Sequence, residues 1–349
     1  MIDFRYHLVS IVAVFLALAI GIVLGSTELQ GPTYNLLNQT TAKLQNELNQ
    51  ASSQRDAAQQ QANLGQNYAQ AVEPVVLHDL LAGQRLLIIT EPGAPASVVT
   101  AISNAATQDA GATVTGQIAL QSKFFDNSDT TLDGLNQITL AMSQADNIVL
   151  NTGTPYQQQA AQVIASEILT RSPGATAGQP TTGTPPASLQ DTNAQTMLGA
   201  YANEGFLTIS GQPSAPATLA VIVTPQTAPQ DGSADPLDQL LVPVAEELAA
   251  NSSATVVAGV SAGSGSGSPI AVLRASSAAS KVSTVDDADF VAGQSVVIQA
   301  LAIQLNGGNP GSYGFANGAS AVSPSPAPTP SSSASPSVST TPTSKKRKK

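Results

Sequence analysis

The chain begins with one long apolar run and then alternates short apolar and polar segments. Residues 8–27, LVSIVAVFLALAIGIVLGST, carry no charged side chain. At about 1.5 Å rise per residue, a helix of this length spans roughly 30 Å, the thickness of a bilayer's hydrocarbon core. The pattern predicts a transmembrane helix; cleavage as a signal peptide after Gly25 or Ser26 is the alternative. No second run of this length follows, so we expect a single-pass protein.

The charges beside this run predict its orientation. Arg5 precedes the run and Glu28 follows it. Because positive charge favours the cytoplasmic side of a membrane, we expect residues 1–7 in the cytoplasm and the bulk of the chain outside the cell membrane.

A seven-residue repeat follows the apolar run. Gly31-Pro32 is predicted to end the first helix, and residues 33–73 are then rich in Gln, Asn and Ala. The apolar side chains that share one face of the repeat are Leu37, Leu44, Leu48, Ala51 and Ala58. This spacing predicts a coiled-coil stalk, which implies a homodimer or a hetero-oligomer. The alternative is a lone helix that packs on its own domain.

Short apolar runs bounded by Gly, Pro and Asp begin near residue 83 and alternate with segments of helical period. The predicted strands are 86–90, 112–119, 147–151, 205–210, 219–224, 254–260, 270–274 and 281–285. The predicted helices are 95–110, 132–145, 155–170, 236–250 and 289–305. The alternation predicts a largely parallel, Rossmann-like α/β domain over residues 83–322.

Two segments have a composition that no packed core can use. Residues 171–188 are full of Gly, Pro and Thr, which predicts a surface loop or a seam between two halves of the domain. Residues 323–344 contain only Ser, Thr, Pro, Ala and Val, and Lys345 to Lys349 follow them. We therefore expect a disordered tail with a basic end over residues 323–349. A polyanion or lipid head groups could bind that end; a solvated end without a partner is the other interpretation.

Composition excludes several classes of function. The chain has no Cys, and its two histidines, His7 and His78, precede the predicted domain. Disulfides, thiolate metal sites and cysteine nucleophiles are therefore excluded. Residues 28–344 carry 22 acidic and 7 basic side chains, a formal charge of −15, so the body repels nucleic acid phosphates.

One motif resembles a hydrolase nucleophile. Gly259-Val260-Ser261-Ala262-Gly263 matches G-x-S-x-G after a predicted strand. That mechanism needs a histidine later in the chain to accept the serine proton, and none follows His78. We therefore interpret the motif as a hairpin turn, and we expect a protein that is not an enzyme and has no recognisable cofactor.

Candidate copper ligands are few. Met142, Met197 and His78 are far apart in the sequence, and their spacing predicts no dedicated copper site. Acidic residues cluster instead, and the two clusters are Asp231, Asp235 and Asp238, and Asp286, Asp287 and Asp289. Helix capping is the favoured interpretation of both clusters. The alternative for the second is a ligand site at the carboxyl end of a strand.

Two blocks of the sequence together form a distinctive family signature. The first is RYHLVS at 5–10, followed by AVFLALAIG at 13–21 and LGS at 24–26. The second is VSTVDDAD at 282–289, with Gly293 in the next helix and GGNPGSYG at 307–314. The residues that carry this family motif are Ser283, Thr284, Val285, Asp286, Asp287, Tyr313 and Gly314.

Together these blocks resemble the actinobacterial copper-transport proteins of the MctB type. The resemblance covers about residues 1–322 and implies an actinobacterial envelope protein. By resemblance its role is copper efflux or homeostasis, with copper as a transported ion, and its location is the cell membrane or the outer envelope. Some relatives are linked to a division and envelope partner. The alternative function is therefore a coiled-coil scaffold that binds a membrane partner in cell division or cell-wall assembly.

Overall fold

The computed structural model describes residues 4–171, 190–213, 215–225, 236–263 and 265–325. The chain divides into two compact units, residues 1–65 and residues 66–349. Most of the predicted 171–188 loop, most of the predicted tail, and Asp231 and Asp235 lie outside the described residues.

A single helix, α1 (Phe4–Leu77), forms the first 74 described residues. The prediction that Gly31-Pro32 ends the first helix is therefore wrong. Proline fixes φ at a value that is itself helical, so it removes one backbone hydrogen bond without obliging the chain to leave the helix. Within α1, residues 5–25 are long and apolar enough to cross a membrane, with a mean hydropathy of 2.9, although a signal sequence passes the same test.

The second unit is built on a seven-stranded sheet. Its strands are β1 (Arg85–Thr90), β2 (Thr113–Leu120), β3 (Leu207–Gly211), β4 (Leu219–Val223), β5 (Ala254–Ala258), β6 (Ser283–Val285) and β7 (Ser312–Tyr313). They lie in the order β3-β2-β1-β4-β5-β6-β7. Every neighbouring pair is parallel except β2 and β3, which confirms the largely parallel α/β sheet.

Helices cover both faces of this sheet. They are α2 (Ala96–Asn104), α3 (Asp129–Ala145), α4 (Tyr156–Ile168), α5 (Gln190–Asn203), α6 (Pro236–Asn251), α7 (Pro269–Arg274) and α8 (Val291–Leu305). Alternate residues of a strand point into two separate cores. Leu87 and Ile89 pack in the core that contains helices α3, α4, α5, α6 and α7, whereas Leu86 and Ile88 pack in the core that contains α2, α8 and the end of α1. Strands buried on both faces explain the continuous apolar runs in the sequence.

The predicted strand at 147–151 is wrong. Asn147 has a left-handed φ of 55°, which ends α3, and the next residues form an extended loop outside the sheet. The Gln162 side chain takes the place of a neighbouring strand: it accepts from the Asn151 amide at 3.1 Å and donates to the Val149 carbonyl at 3.0 Å. A short apolar run cannot by itself distinguish this arrangement from strand pairing.

The predicted strand at 270–274 is wrong as well, because these residues form helix α7. Ser268 caps this helix by accepting from the Ala271 amide at 3.2 Å, and Pro269 occupies its first turn. Ser-Pro before an apolar run is a helix-start signal that outweighs the β-branched residues. The preceding Gly259–Gly263 segment is consequently part of a crossover between the parallel strands β5 and β6, not a hairpin turn.

Candidate functional site

The Ser-Thr-Val-Asp-Asp block lies at the carboxyl end of β6, near one edge of the sheet. Ser283, Thr284 and Val285 form β6 and are buried. Ser283 Oγ accepts from Gln304 Nε2 at 2.8 Å and from the Gly311 amide at 3.1 Å. These hydrogen bonds connect β6 to α8 and to the segment that enters β7.

A buried ion pair follows the strand. Arg274 Nη1 lies 2.8 Å from Asp286 Oδ2, and only 4% and 2% of the two side chains are exposed. The same guanidinium donates to Thr284 Oγ1 at 2.9 Å and to the Tyr313 carbonyl at 2.7 Å. Arg274 therefore joins α7, β6 and β7. The predicted strand at 270–274 gave no indication of this role, because Arg274 reaches Asp286 from the last turn of helix α7.

Asp286 also organises the chain after β7. Its Oδ1 accepts from the Phe315 amide at 2.8 Å, and both carboxylate oxygens lie near the Ala316 amide, at 3.2 and 3.1 Å. Gly314 has a φ of 120°, and a Cβ added there would lie 2.2 Å from Asp286 Oδ1. Only glycine allows the backbone to approach the carboxylate this closely. The two parts of the second sequence block, residues 282–289 and 307–314, are thus joined by a direct contact between Asp286 and Gly314.

Asp287 is buried in a different environment. It is 2% exposed, and its Oδ1 has no hydrogen-bond partner among the described residues. Burial, followed by the nearby Asp286 carboxylate, raises the pKa of Asp287 from 3.8 to about 6. A Cβ added at Gly293 would lie 2.0 Å from the Asp287 carbonyl oxygen, so the start of α8 packs directly against this residue.

The prediction that this acidic cluster caps α8 is wrong. The N-cap residue of α8 is Phe290, whose side chain makes no capping hydrogen bond. Asp289 binds Ser261 instead, accepting from its amide at 2.9 Å and from its Oγ at 2.6 Å. The Val291 amide donates to Gln66 Oε1 at 3.1 Å, so a residue 225 positions earlier in the chain supplies the capping oxygen.

The candidate copper ligands do not converge. Met197 is fully buried and Met142 is partly buried in the core beneath α3 to α7. His78 adjoins Leu77 of the opposite core, and its side chain is 73% exposed beside Asp79. Among the residues that the structure describes, no group of three or more His, Asp or Glu side chains could hold a metal ion.

The predicted coiled-coil face is exposed along α1. Leu37, Leu44 and Leu48 are 62%, 60% and 71% exposed, and Ala51 and Ala58 are exposed as well. Five leucines of this part of the helix, at 36, 37, 44, 48 and 64, have no apolar contact that buries them. The stalk interface itself stays a prediction.

Relatives of the chain match it over nearly its whole length. A family described as "Copper transport outer membrane protein, MctB" matches residues 1–324. A protein named copper transporter MctB from Mycobacterium bovis is 30% identical over 328 residues, covering 93% of this chain and 99% of the relative. A Mycobacterium leprae protein of the same name is 29% identical over 331 residues, with the same coverage. The chain therefore belongs to the MctB family, as its two sequence blocks and its α/β fold led us to expect.

Proposed function

We propose that this protein is a non-enzymatic, single-pass envelope protein that acts in copper efflux and homeostasis. The match to the MctB family over residues 1–324 is the observation that carries this proposal. The curated relatives are named copper transporters and align over 93% of the chain. A shared role is best supported when a relationship extends over anchor, stalk and domain together.

The proposed orientation places the α/β domain outside the cell membrane. Arg5 lies before the apolar part of α1 and Glu28 after it, which favours a cytoplasmic N-terminus. The apolar segment of 21 residues has the length that a bilayer requires. The domain therefore works in the envelope, where copper is exported.

The arrangement of side chains supports an indirect role in copper handling. Met142 and Met197 point into an apolar core, and His78 lies on the opposite side of the sheet. Copper prefers clustered imidazole or thioether ligands, and the described residues do not supply such a cluster. We therefore propose that the protein acts as a component of an export system rather than as a copper-storage site.

The non-enzymatic interpretation rests on the G-x-S-x-G segment. Ser261 Oγ donates a hydrogen bond to Asp289 at 2.6 Å, and no histidine occurs later in the chain. A serine nucleophile needs a base that accepts its proton and then returns it to the leaving group, which a surface aspartate does not do efficiently.

The proposal is tested by deleting the gene and titrating copper. Growth, cell-associated copper and cell length are recorded together, with the intact chain restored as the control. We expect copper sensitivity and raised cell copper at normal cell length. Unchanged copper tolerance together with abnormal septation would contradict the copper role.

A second function is favoured by the exposed coiled-coil face of α1. Leu37, Leu44 and Leu48 remain solvent-exposed on a helix that carries few charges, which is typical of an interface for another helix. We propose as the alternative a scaffold whose stalk binds a second copy or a membrane partner in division or wall assembly.

The scaffold is tested by comparing two triple variants in the deletion strain. One variant places Asp at Leu37, Leu44 and Leu48. The control places Asp at Gln39, Asn46 and Gln50, which have the same spacing on the outer face of the repeat. Loss of a co-purified partner from the first variant alone supports the scaffold function. Equal recovery of the partner with both variants would rule out the coiled-coil face as its binding site.

A further inference from the structure

A pocket with a mixed polar and apolar lining opens at the carboxyl ends of the strands beside the Arg274–Asp286 ion pair. Its volume is about 430 Å³. This value lies within the roughly 300–1,000 Å³ of small-molecule sites. The lining includes the hydroxyl residues Ser261 and Ser266, the amide residue Asn317, the ring of Phe315 and the carboxylate of Asp286.

The electrostatics of the lining disfavour an anionic ligand. Among the described residues, the lining includes no Lys or Arg that could supply a counter-charge. The Asp286 carboxylate pairs with Arg274 at 2.8 Å and accepts amide hydrogen bonds from Phe315 and Ala316, so its charge is already compensated. A cation would have to break this buried pair or compete with Ser261 for the Asp289 carboxylate, which accepts from the Ser261 amide at 2.9 Å and from its Oγ at 2.6 Å. The groups that remain for a ligand are hydroxyls, an amide and one aromatic face.

Phe315 is the unusual member of this set. Its side chain is 74% exposed, in a protein with seven Phe, six Tyr and no Trp. The Asp286 carboxylate accepts from the Phe315 amide at 2.8 Å, so the backbone that carries the ring is anchored to the sheet. An exposed ring on an anchored backbone can serve as a stacking platform, because the backbone entropy is already lost and only the side-chain rotamer has to be ordered on binding.

We propose that this pocket binds a neutral saccharide. Sugar rings present apolar C–H faces that stack on an aromatic ring, and their hydroxyls both donate and accept hydrogen bonds. Ser261 Oγ donates to Asp289 at 2.6 Å, which leaves its lone pairs available to a sugar hydroxyl. The Asn317 side chain offers both donors and an acceptor. The inference does not rest on the copper role.

The test uses the full chain in lipid nanodiscs, because glycoside detergents would compete for the pocket. Saturation-transfer NMR and calorimetry are run with neutral probes, namely methyl α-mannoside, methyl β-galactoside and maltotriose. Glucuronic acid and glucosamine serve as charged probes of similar size. Affinity that rises from the methyl glycosides to maltotriose indicates a polysaccharide as the source, whereas equal affinity indicates free sugar.

We expect neutral probes to bind with dissociation constants of about 1 mM or below, and charged probes to bind more weakly. Phe315→Ala should weaken binding by about fivefold to tenfold. The control is Phe290→Ala, which removes a ring of 40% exposure that does not belong to the lining. Asn317→Ala tests the polar side of the pocket. The absence of neutral-probe binding at about 10 mM, or an equal loss in the Phe290 variant, would overturn the inference.

Discussion

Replacing Arg274 by Leu should detach the carboxyl-terminal edge of the sheet. The substitution leaves the Asp286 carboxylate buried without its counter-ion, and it also removes donors to Thr284 Oγ1 and to the Tyr313 carbonyl. Breaking one partner of a buried pair costs about 3–5 kcal/mol. At about 2–4 °C per kcal/mol for a domain of this size, the melting temperature should fall by roughly 10 °C.

The assay combines thermal unfolding with limited proteolysis. Circular dichroism at 222 nm follows global unfolding, and mass spectrometry locates cleavage. We expect earlier cleavage after α8, because Arg274 donates to the Tyr313 carbonyl and its partner Asp286 accepts from the Phe315 and Ala316 amides. The matched control is Arg55→Leu, which breaks the Arg55–Asp56 pair at 2.7 Å. Those side chains are 78% and 58% exposed, so solvent screens the pair and its loss should have little effect.

The result that would refute this reasoning is a shift equal to that of the Arg55 control. A second variant, Arg274→Leu with Asp286→Leu, separates the ion pair from packing. If the cost comes from an uncompensated buried charge, the double variant should recover part of the lost stability. A double variant less stable than either single variant would show that the pair is not the dominant contribution.

Three further outcomes follow from the site. Gly314→Ala should destabilise the domain, because its Cβ would lie 2.2 Å from Asp286 Oδ1, whereas Gly199→Ala, with open space around it in α5, should be neutral or slightly stabilising in the same thermal melts. Because the folded-state pKa of Asp287 is raised to about 6, its contribution is most favourable below pH 3.8 and is lost as the pH rises through 6. The free energy of unfolding of Asp287→Asn should therefore increase relative to that of the native chain as the pH rises from 3.8 to 6. Urea titrations that show the same difference between the two proteins across this pH range would contradict the assignment. Met197→Leu nearly preserves the volume of a fully buried side chain and should leave copper tolerance unchanged. A copper-sensitive strain in which the variant protein is still folded would indicate that the Met197 sulfur binds copper.

The order of secondary structure was largely predictable, because most elements are encoded by local patterns. Six of the seven strands and most helices coincide with apolar runs and helical periods in the sequence. The errors arose where two local signals compete. Pro32 predicted a helix end, but α1 continues through it. The apolar residues after Ser268-Pro269 predicted a strand, but Ser268 and Pro269 begin helix α7. Helix α5 was missed because Gly, Pro and Thr dominate the residues before it.

The candidate site was likewise only partly predictable from the sequence. The sequence alone determined the apolar run, the seven-residue repeat, the alternating α/β pattern and the family blocks, because each depends on spacing along one stretch of chain. Only the tertiary structure decided that Arg274 pairs with Asp286, that Gly314 makes room for that carboxylate, and that Asp287 is buried. The two contacts of Asp286 join residues that are 12 and 28 positions apart. Their formation depends on which strands become neighbours, and the β6–β7 pairing that brings them together is not encoded in any one segment.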